Sequence, residues 1–145
     1  AGRVTARPGG ALYSPALLGL AVELANYPFN KNASLIGEAR SRSCGSTLAL
    51  SAEPDFGELG MSVTACAVGQ ASAAIFARHA RGRDTAEIEE VTAAIEEWLS
   101  ANGPQPDWPD IEMLEPTRGY PARHGAILLP WKAALDALSK GAAAR

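Results

Sequence analysis

Cysteine is scarce in this chain, which has only Cys44 and Cys66 among its 145 residues. Two cysteines do not make a disulfide framework, so we expect a buried core to stabilise the fold and a reducing cytoplasm to be the compartment. Positive charge is not in excess either, because 13 lysines and arginines stand against 16 acidic residues and the net charge is -3. Without a positive field, neither nucleic acid nor an anionic membrane is an expected partner.

Long apolar runs are missing as well. The longest stretch without a charged residue extends from Leu59 to Ala77, and glycine, serine, threonine and glutamine interrupt it. This pattern predicts a strand followed by a helix in a soluble core rather than a membrane span. No apolar segment follows a basic N-terminus, so we expect no secretion signal.

The length and the hydrophobic content of 47% predict one compact domain over residues 1–145. Residues 1–10 are rich in glycine, arginine and proline without periodicity, and residues 141–145 are mostly alanine. We expect both ends to be flexible.

Hydrophobic periodicity predicts helices and strands in a defined order. Ser14 and Pro15 form a typical helix start, and that helix is predicted to run to about Asn26. Alternating patterns predict strands at 35–43, 47–51 and 59–66, and helical spacing predicts further helices at 67–81, 84–99 and around 127–138. This order indicates an α+β fold, with a small three-stranded antiparallel sheet packed against about four helices.

Both cysteines lie where a strand pattern ends. Cys44 follows the first alternating run, beside Gly45, and Cys66 ends the third run just before an alanine-rich helix. A thiol at a helix start is favoured as thiolate, and thiolates are soft ligands for zinc or iron-sulfur species. We therefore predict one shared site, with two buried, unreactive cysteines as the alternative.

Only one of the two histidines is predicted to be able to lie near the cysteines. His79 lies 13 residues along the chain from Cys66, about 20 Å on a helix, and cannot share its site. His124 lies just before the last predicted helix and is a candidate third ligand. The alternative is an exposed loop histidine.

Four short motifs occur in a meaningful order: Asn26-Tyr27-Pro28, Ser43-Cys44-Gly45-Ser46-Thr47, Ala65-Cys66 followed by Ala71-Ser72, and Tyr120-Pro121-Ala122-Arg123-His124-Gly125-Ala126-Ile127-Leu128-Leu129-Pro130-Trp131. From about Leu12 to Leu138, this arrangement resembles the iron-sulfur cluster scaffold proteins of the NifU N-terminal, IscU and SufU type. The C-terminal motif is most similar to the SufU branch.

The resemblance implies a non-enzymatic protein of iron-sulfur cluster assembly, a transient scaffold or carrier for iron and sulfur on cysteine thiolates. It implies a cysteine desulfurase and apo iron-sulfur proteins as partners, and a transient iron-sulfur cluster or zinc at the cysteines. The family uses three cysteines helped by an aspartate or a histidine. Here Ala126 occupies the position of the third cysteine and Ser46 that of the aspartate.

These departures leave Cys44 and Cys66, with His124, as the candidate ligands. Tetrahedral zinc and a two-iron cluster each need four ligands, so a homodimer or a partner would have to complete the shell. Two alternatives follow. The chain is either a metal-free member that retains the desulfurase-binding surface, or a sulfur relay that carries a persulfide on one reactive thiol.

Overall fold

The computed structural model describes residues 14–143. Along this part of the chain the elements are α1 (Pro15–Glu23), β1 (Leu35–Arg40), β2 (Thr47–Glu53), β3 (Gly57–Thr64), α2 (Ala67–His79), α3 (Thr85–Ser100) and α4 (Pro121–Ala143). Short 3₁₀ segments occupy Leu24–Asn26, Pro54–Phe56 and Ile111–Gly119. The flexibility predicted for residues 1–10 and for the last two residues lies outside the described residues, whereas residues 141–143 continue α4.

The sheet has the strand order β1-β2-β3, and both neighbouring pairs are antiparallel. Its register places Arg40 opposite Thr47, and Thr47 opposite Thr64, so these three residues form the last row at one end. Each outer strand has a backbone N–H that is hydrogen-bonded to an acceptor outside the sheet. The backbone N–H of Glu38 donates to the Asp136 carboxylate (2.9 Å), and that of Met61 donates to the Tyr27 carbonyl (2.8 Å).

Helix α4 packs across β1 and β2, and it also contacts α2 and α3. Gly37 makes the close approach to the sheet possible, because a Cβ there would overlap the backbone of Ala133 and Ala137. In the core, the Phe76 ring stacks on Trp108, with 5.4 Å between the ring centroids. The predicted α+β class, with a three-stranded antiparallel sheet against helices, is therefore confirmed.

The structure differs from the sequence-based boundaries at three places that matter for the site. β1 ends at Arg40 because Ser41 to Ser46 close into a turn, and β3 ends at Thr64, so Cys66 is not part of the strand. α4 begins at Pro121, six residues before the predicted start. Its first two turns therefore lie against the cysteine region as helix rather than loop.

None of the helices within residues 14–143 has both the length and the apolar character needed to cross a membrane.

Candidate functional site at the two cysteines

Cys44 lies on the turn that joins β1 to β2. The Ser41 N–H donates to the Ser46 carbonyl (2.8 Å), and the Gly45 N–H donates to the Ser41 carbonyl (2.9 Å), which closes the turn. Gly45 has a φ of +72°, a left-handed conformation that glycine adopts without a steric penalty. The turn projects the Cys44 side chain into solvent, where it is exposed.

Cys66 occupies the N-cap position of α2. Its backbone is extended (φ -69°, ψ 174°), its carbonyl accepts from the Gln70 N–H (3.0 Å), and its side chain makes no capping hydrogen bond. The residue is half-buried. Its sulfur therefore lies at the positive end of a helix of 13 residues without being committed to the helix backbone.

Cys44 and Cys66 both line one open cavity of about 320 Å³. The β2–β3 register explains this, because Cys44 precedes Thr47 by three residues and Cys66 follows Thr64 by two. The lining is completed by residues of the turn, the end of β3 and the start of α4: Gly45, Ser46, Thr64, Ala65 and Arg123. The structure thus brings Cys44 and Cys66 together, and Cys44 is not a buried hydrophobe.

Hydroxyl groups surround the Cys44 sulfur. Its Sγ lies 3.0 Å from the Ser46 Oγ and 3.3 Å from the Ser41 Oγ. Hydrogen bonds from Ser41 and then Ser46 to the thiolate, with smaller contributions from the Ser46 backbone and the Arg123 charge, hold the pKa of Cys44 below its usual value. Partial burial acts in the opposite direction but does not outweigh them. The Cys44 thiol therefore ionises more readily than an ordinary cysteine, which favours reactivity as a nucleophile.

The first turns of α4 form the wall behind the turn that carries Cys44. Gly125 touches the Ser41 side chain so closely that a Cβ on Gly125 would overlap the Ser41 hydroxyl. Ala126 is fully buried against the first turn of α2, 3.3 Å from the point where a Cβ on Gly69 would lie. The positions of the implied third cysteine and the implied aspartate, Ala126 and Ser46, therefore both border the cysteine region.

His124 is not brought to the thiols. It lines a separate cavity of about 210 Å³ together with Glu96, Leu99, Ser100 and Leu128. Its Nε2 lies 3.1 Å from the Arg118 carbonyl, which only accepts, so this nitrogen carries the proton and donates. The neighbouring residue Arg123 points into the thiol cavity instead.

The donor set of a single chain does not fit a complete metal site. Within residues 14–143, no group of three or more histidine, cysteine, aspartate or glutamate side chains is placed to hold a metal ion. The cavity offers two thiols and the positive charge of Arg123, which opposes cation binding. One chain therefore supplies half of the four ligands that zinc or a two-iron cluster requires.

Sequence reasoning missed the role of Ser41 and of Arg123. The signal for Ser41 is its spacing, three residues before Cys44 in a segment with three other small polar or glycine positions. Arg123 was placed in a motif but given no role, because its direction depends on the helical phase of α4.

Comparison with solved structures gives a close match over nearly the whole fold. The N-terminal part of a nitrogen-fixing NifU-like protein from Brucella abortus is 28% identical to this chain. The match covers 93% of this chain and 97% of that one, with a TM-score of 0.81. The chain has a NifU-like fold. The resemblance inferred from the four motifs is thereby confirmed.

A second neighbour comes from the thermophile Fervidobacterium islandicum AW-1, a protein assigned as an iron-sulfur cluster assembly scaffold for the SUF system. It is 21% identical, the match covers 91% of this chain and 99% of that one, and the TM-score is 0.74. This likeness concerns the fold alone. No protein-family profile matches the chain, and neither does the sequence of a curated protein.

Proposed function

We propose that this NifU-like chain works in iron-sulfur cluster assembly, as a transient scaffold or carrier that holds sulfur and iron on the thiolates of Cys44 and Cys66. The observation that carries the proposal is the opening of two thiols, from separate segments, into one solvent-accessible cavity. The scaffold role assigned to the Fervidobacterium protein of the same fold supports it. A cytoplasmic site of action is part of the proposal, because two free thiols need a reducing compartment.

The remaining ligands have to come from outside the chain. Thiolates are preferred ligands of iron-sulfur clusters, which need four of them or close substitutes. Two copies of the chain together offer four thiolates, and the exposed position of Cys44 on its turn makes contact with a second molecule feasible. We therefore expect cluster binding to increase with protein concentration and to accompany dimerisation. Apo iron-sulfur proteins are the expected recipients.

Anaerobic reconstitution with ferrous iron and sulfide tests this proposal. We expect visible cluster absorption in a dimeric fraction on size-exclusion chromatography, and its loss in Cys44→Ser and in Cys66→Ser. His124→Ala is the matched control, and it should keep the absorption because His124 lines another cavity. Absence of cluster absorption at every protein concentration would overturn the cluster-carrying role.

A metal-free sulfur relay is the second candidate function. It is favoured by the surroundings of Cys44, where two hydroxyls and Arg123 stabilise a thiolate without any metal. In this function the Cys44 thiolate attacks the outer sulfur of a persulfide on a cysteine desulfurase, takes that sulfur, and leaves the desulfurase cysteine as thiolate. Incubation with a desulfurase and cysteine, in the presence of a metal chelator, should then add one sulfur atom to Cys44 by mass spectrometry.

Both functions would be wrong if the chain supported cluster assembly through its desulfurase-binding surface alone, without its thiols. A Cys44→Ser, Cys66→Ser double variant that still binds the desulfurase and still supports cluster assembly would show it. Loss of assembly with retained binding would support the thiol-based functions.

A further inference from the structure

We propose that Cys66 resolves a persulfide carried by Cys44, so that the pair releases sulfide inside one chain and ends as a Cys44–Cys66 disulfide. This inference rests on the proposed function, in which Cys44 receives sulfur. It adds a role for the second thiol that requires neither a third ligand nor a metal.

The placement of the two thiols carries the inference. Cys44 lies three residues before Thr47 and Cys66 two residues after Thr64, so both follow the last paired row of the β2–β3 ladder at the same end of the sheet. Both line the same cavity, and no third metal-binding side chain joins them within residues 14–143. Within one chain, a thiol pair without further ligands can carry out exchange chemistry whenever no second chain completes a tetrahedral site.

The two thiols are held differently, and the difference assigns their roles. Cys44 is exposed and hydrogen-bonded by Ser46 and Ser41, so a partner protein reaches it and its position is fixed. Cys66 is half-buried, and its side chain makes no capping bond at the start of α2. Cys44 is thus the entry point for sulfur, and Cys66, which packs against the core without a hydrogen-bond partner at the cap, is the internal thiol.

The step balances without an external oxidant. The Cys66 thiolate attacks the inner sulfur of the Cys44 persulfide, the new bond joins the two Sγ atoms, and the bond to the outer sulfur breaks. The outer sulfur leaves with the electron pair as hydrosulfide, so this sulfur is reduced while the two cysteines are oxidised to a disulfide. A dithiol reductant then resets the pair by thiol–disulfide exchange.

Arg123 is the positive charge that this step needs. It lines the cavity between the two thiols' segments, where an attacking thiolate and a departing hydrosulfide carry negative charge. A guanidinium retains its charge at any physiological pH and offers several donors to such anions. The same charge disfavours a bound cation, in agreement with the incomplete donor set.

The test loads the protein with sulfur chemically, so that it does not depend on a desulfurase. Fully reduced protein is treated without oxygen with glutathione persulfide, desalted quickly, and followed by sulfide release and intact mass. We expect the wild-type chain to release sulfide with first-order kinetics independent of protein concentration, and to finish two hydrogens lighter than the reduced chain. Cys66→Ser should keep one added sulfur on Cys44 and release sulfide at least about tenfold more slowly, because the intramolecular attack is lost.

The variants are chosen to remain folded. Serine is a favoured N-cap, so Cys66→Ser should preserve α2. Ser100→Ala is the control, because Ser100 is exposed on α3 and lines another cavity, and it should release sulfide as fast as the wild type.

Three results would overturn the inference: no persulfide on Cys44 of the loaded Cys66→Ser variant, equal persistence of the persulfide in wild type and Cys66→Ser, or a disulfide that joins two chains instead of closing within one. A failure of the proposed function would look different. The desulfurase would then deliver no sulfur to Cys44, while the chemically loaded persulfide would still be resolved by Cys66.

Discussion

The hydroxyl oxygen of Ser46 lies 3.0 Å from the sulfur of Cys44. Ser46 occupies the position at which the resemblance implies an aspartate. A carboxylate at that distance would repel a thiolate and attract a metal ion, whereas a hydroxyl donates a hydrogen bond to the thiolate. A serine at this position therefore favours ionisation of Cys44 more than an aspartate would.

Removal of the Ser46 hydroxyl should slow the reaction of Cys44 with alkylating reagents. The hydrogen bonds from Ser41 and Ser46 lower the pKa of Cys44, so Ser46→Ala should raise that pKa and reduce the thiolate fraction near neutral pH. The rate–pH profile should move to higher pH, with a several-fold lower rate at neutral pH and the same plateau at alkaline pH. Ser100→Ala removes an exposed hydroxyl that lines another cavity; it is the control and should leave the profile unchanged. An unshifted profile for Ser46→Ala would contradict the assigned role of this hydroxyl.

Restoration of the two implied ligands should restore metal binding. Ala126→Cys adds a thiol beside the first turn of α2, and Ser46→Asp adds a carboxylate beside Cys44. With four ligands available, we expect the double variant to bind zinc at least about tenfold more tightly than the wild type in a chelator competition assay. Ala25→Cys, which adds an exposed thiol outside the cavity, is the control and should not tighten binding. Equal zinc affinity of the double variant and wild type would show that the site is not simply short of ligands.

Gly125 should tolerate no side chain. A Cβ at this position would overlap the Ser41 hydroxyl and lie 3.1 Å from the Ser41 Cβ, both on the buried side of the turn. Gly125→Ala should therefore lower the free energy of unfolding by about 1–3 kcal/mol and also slow alkylation of Cys44.

Gly19 is the matched control for that substitution. It lies in α1, also in a helix, and a Cβ there would meet nothing within 4 Å. Gly19→Ala should raise the free energy of unfolding by roughly 0.5–1 kcal/mol, because alanine loses less backbone entropy in a helix. Chemical denaturation measures both variants, and a neutral Gly125→Ala would contradict the close contact with Ser41.

The buried hydroxyl of Ser72 should contribute to the position of α4. Its Oγ donates to the Ile127 carbonyl (2.6 Å) from a fully buried side chain, and so ties α2 to the helix that carries Arg123. Ser72→Ala leaves that acceptor without its partner and should cost about 1–3 kcal/mol in the free energy of unfolding. Ser100→Ala removes a similar bond from an exposed hydroxyl and should change stability by less than about 0.5 kcal/mol. Equal effects of the two substitutions would contradict this role.

The secondary structure was predictable wherever local signals were strong. The helix predicted at 84–99 has such a signal, a capping box in which the Glu87 N–H donates to the Asp84 carboxylate (2.8 Å) and the Asp84 N–H donates to the Glu87 carboxylate (3.1 Å). The early start of α4 was missed because Pro121 and Gly125 resemble loop residues. Proline is accepted in a first helical turn, and this glycine is required by contact with a distant turn, which no local pattern shows.

The strand ends predicted that Cys44 and Cys66 lie near one site, and both line one cavity. Local sequence patterns did not predict which residues surround them. Successive residues on an α-helix point about 100° apart, so the start of α4 decides whether Arg123 or His124 faces the thiols. The structure directs Arg123 into the cavity, and His124 lines a different one. Ser41 reaches Cys44 only because Ser41 to Ser46 close into a turn, where the alternating pattern indicated a continuing strand.

Bridging of Cys44 and Cys66 by a short bifunctional thiol reagent tests whether the two cysteines share one cavity. Dibromobimane becomes strongly fluorescent only when both of its arms have reacted, so its fluorescence reports two thiols close together. We predict rapid intramolecular bridging at every protein concentration, a monomeric product on size-exclusion chromatography, and no fluorescence in Cys44→Ser or Cys66→Ser. Singly labelled cysteines in the wild-type chain, or bridging only between two chains, would contradict a shared cavity.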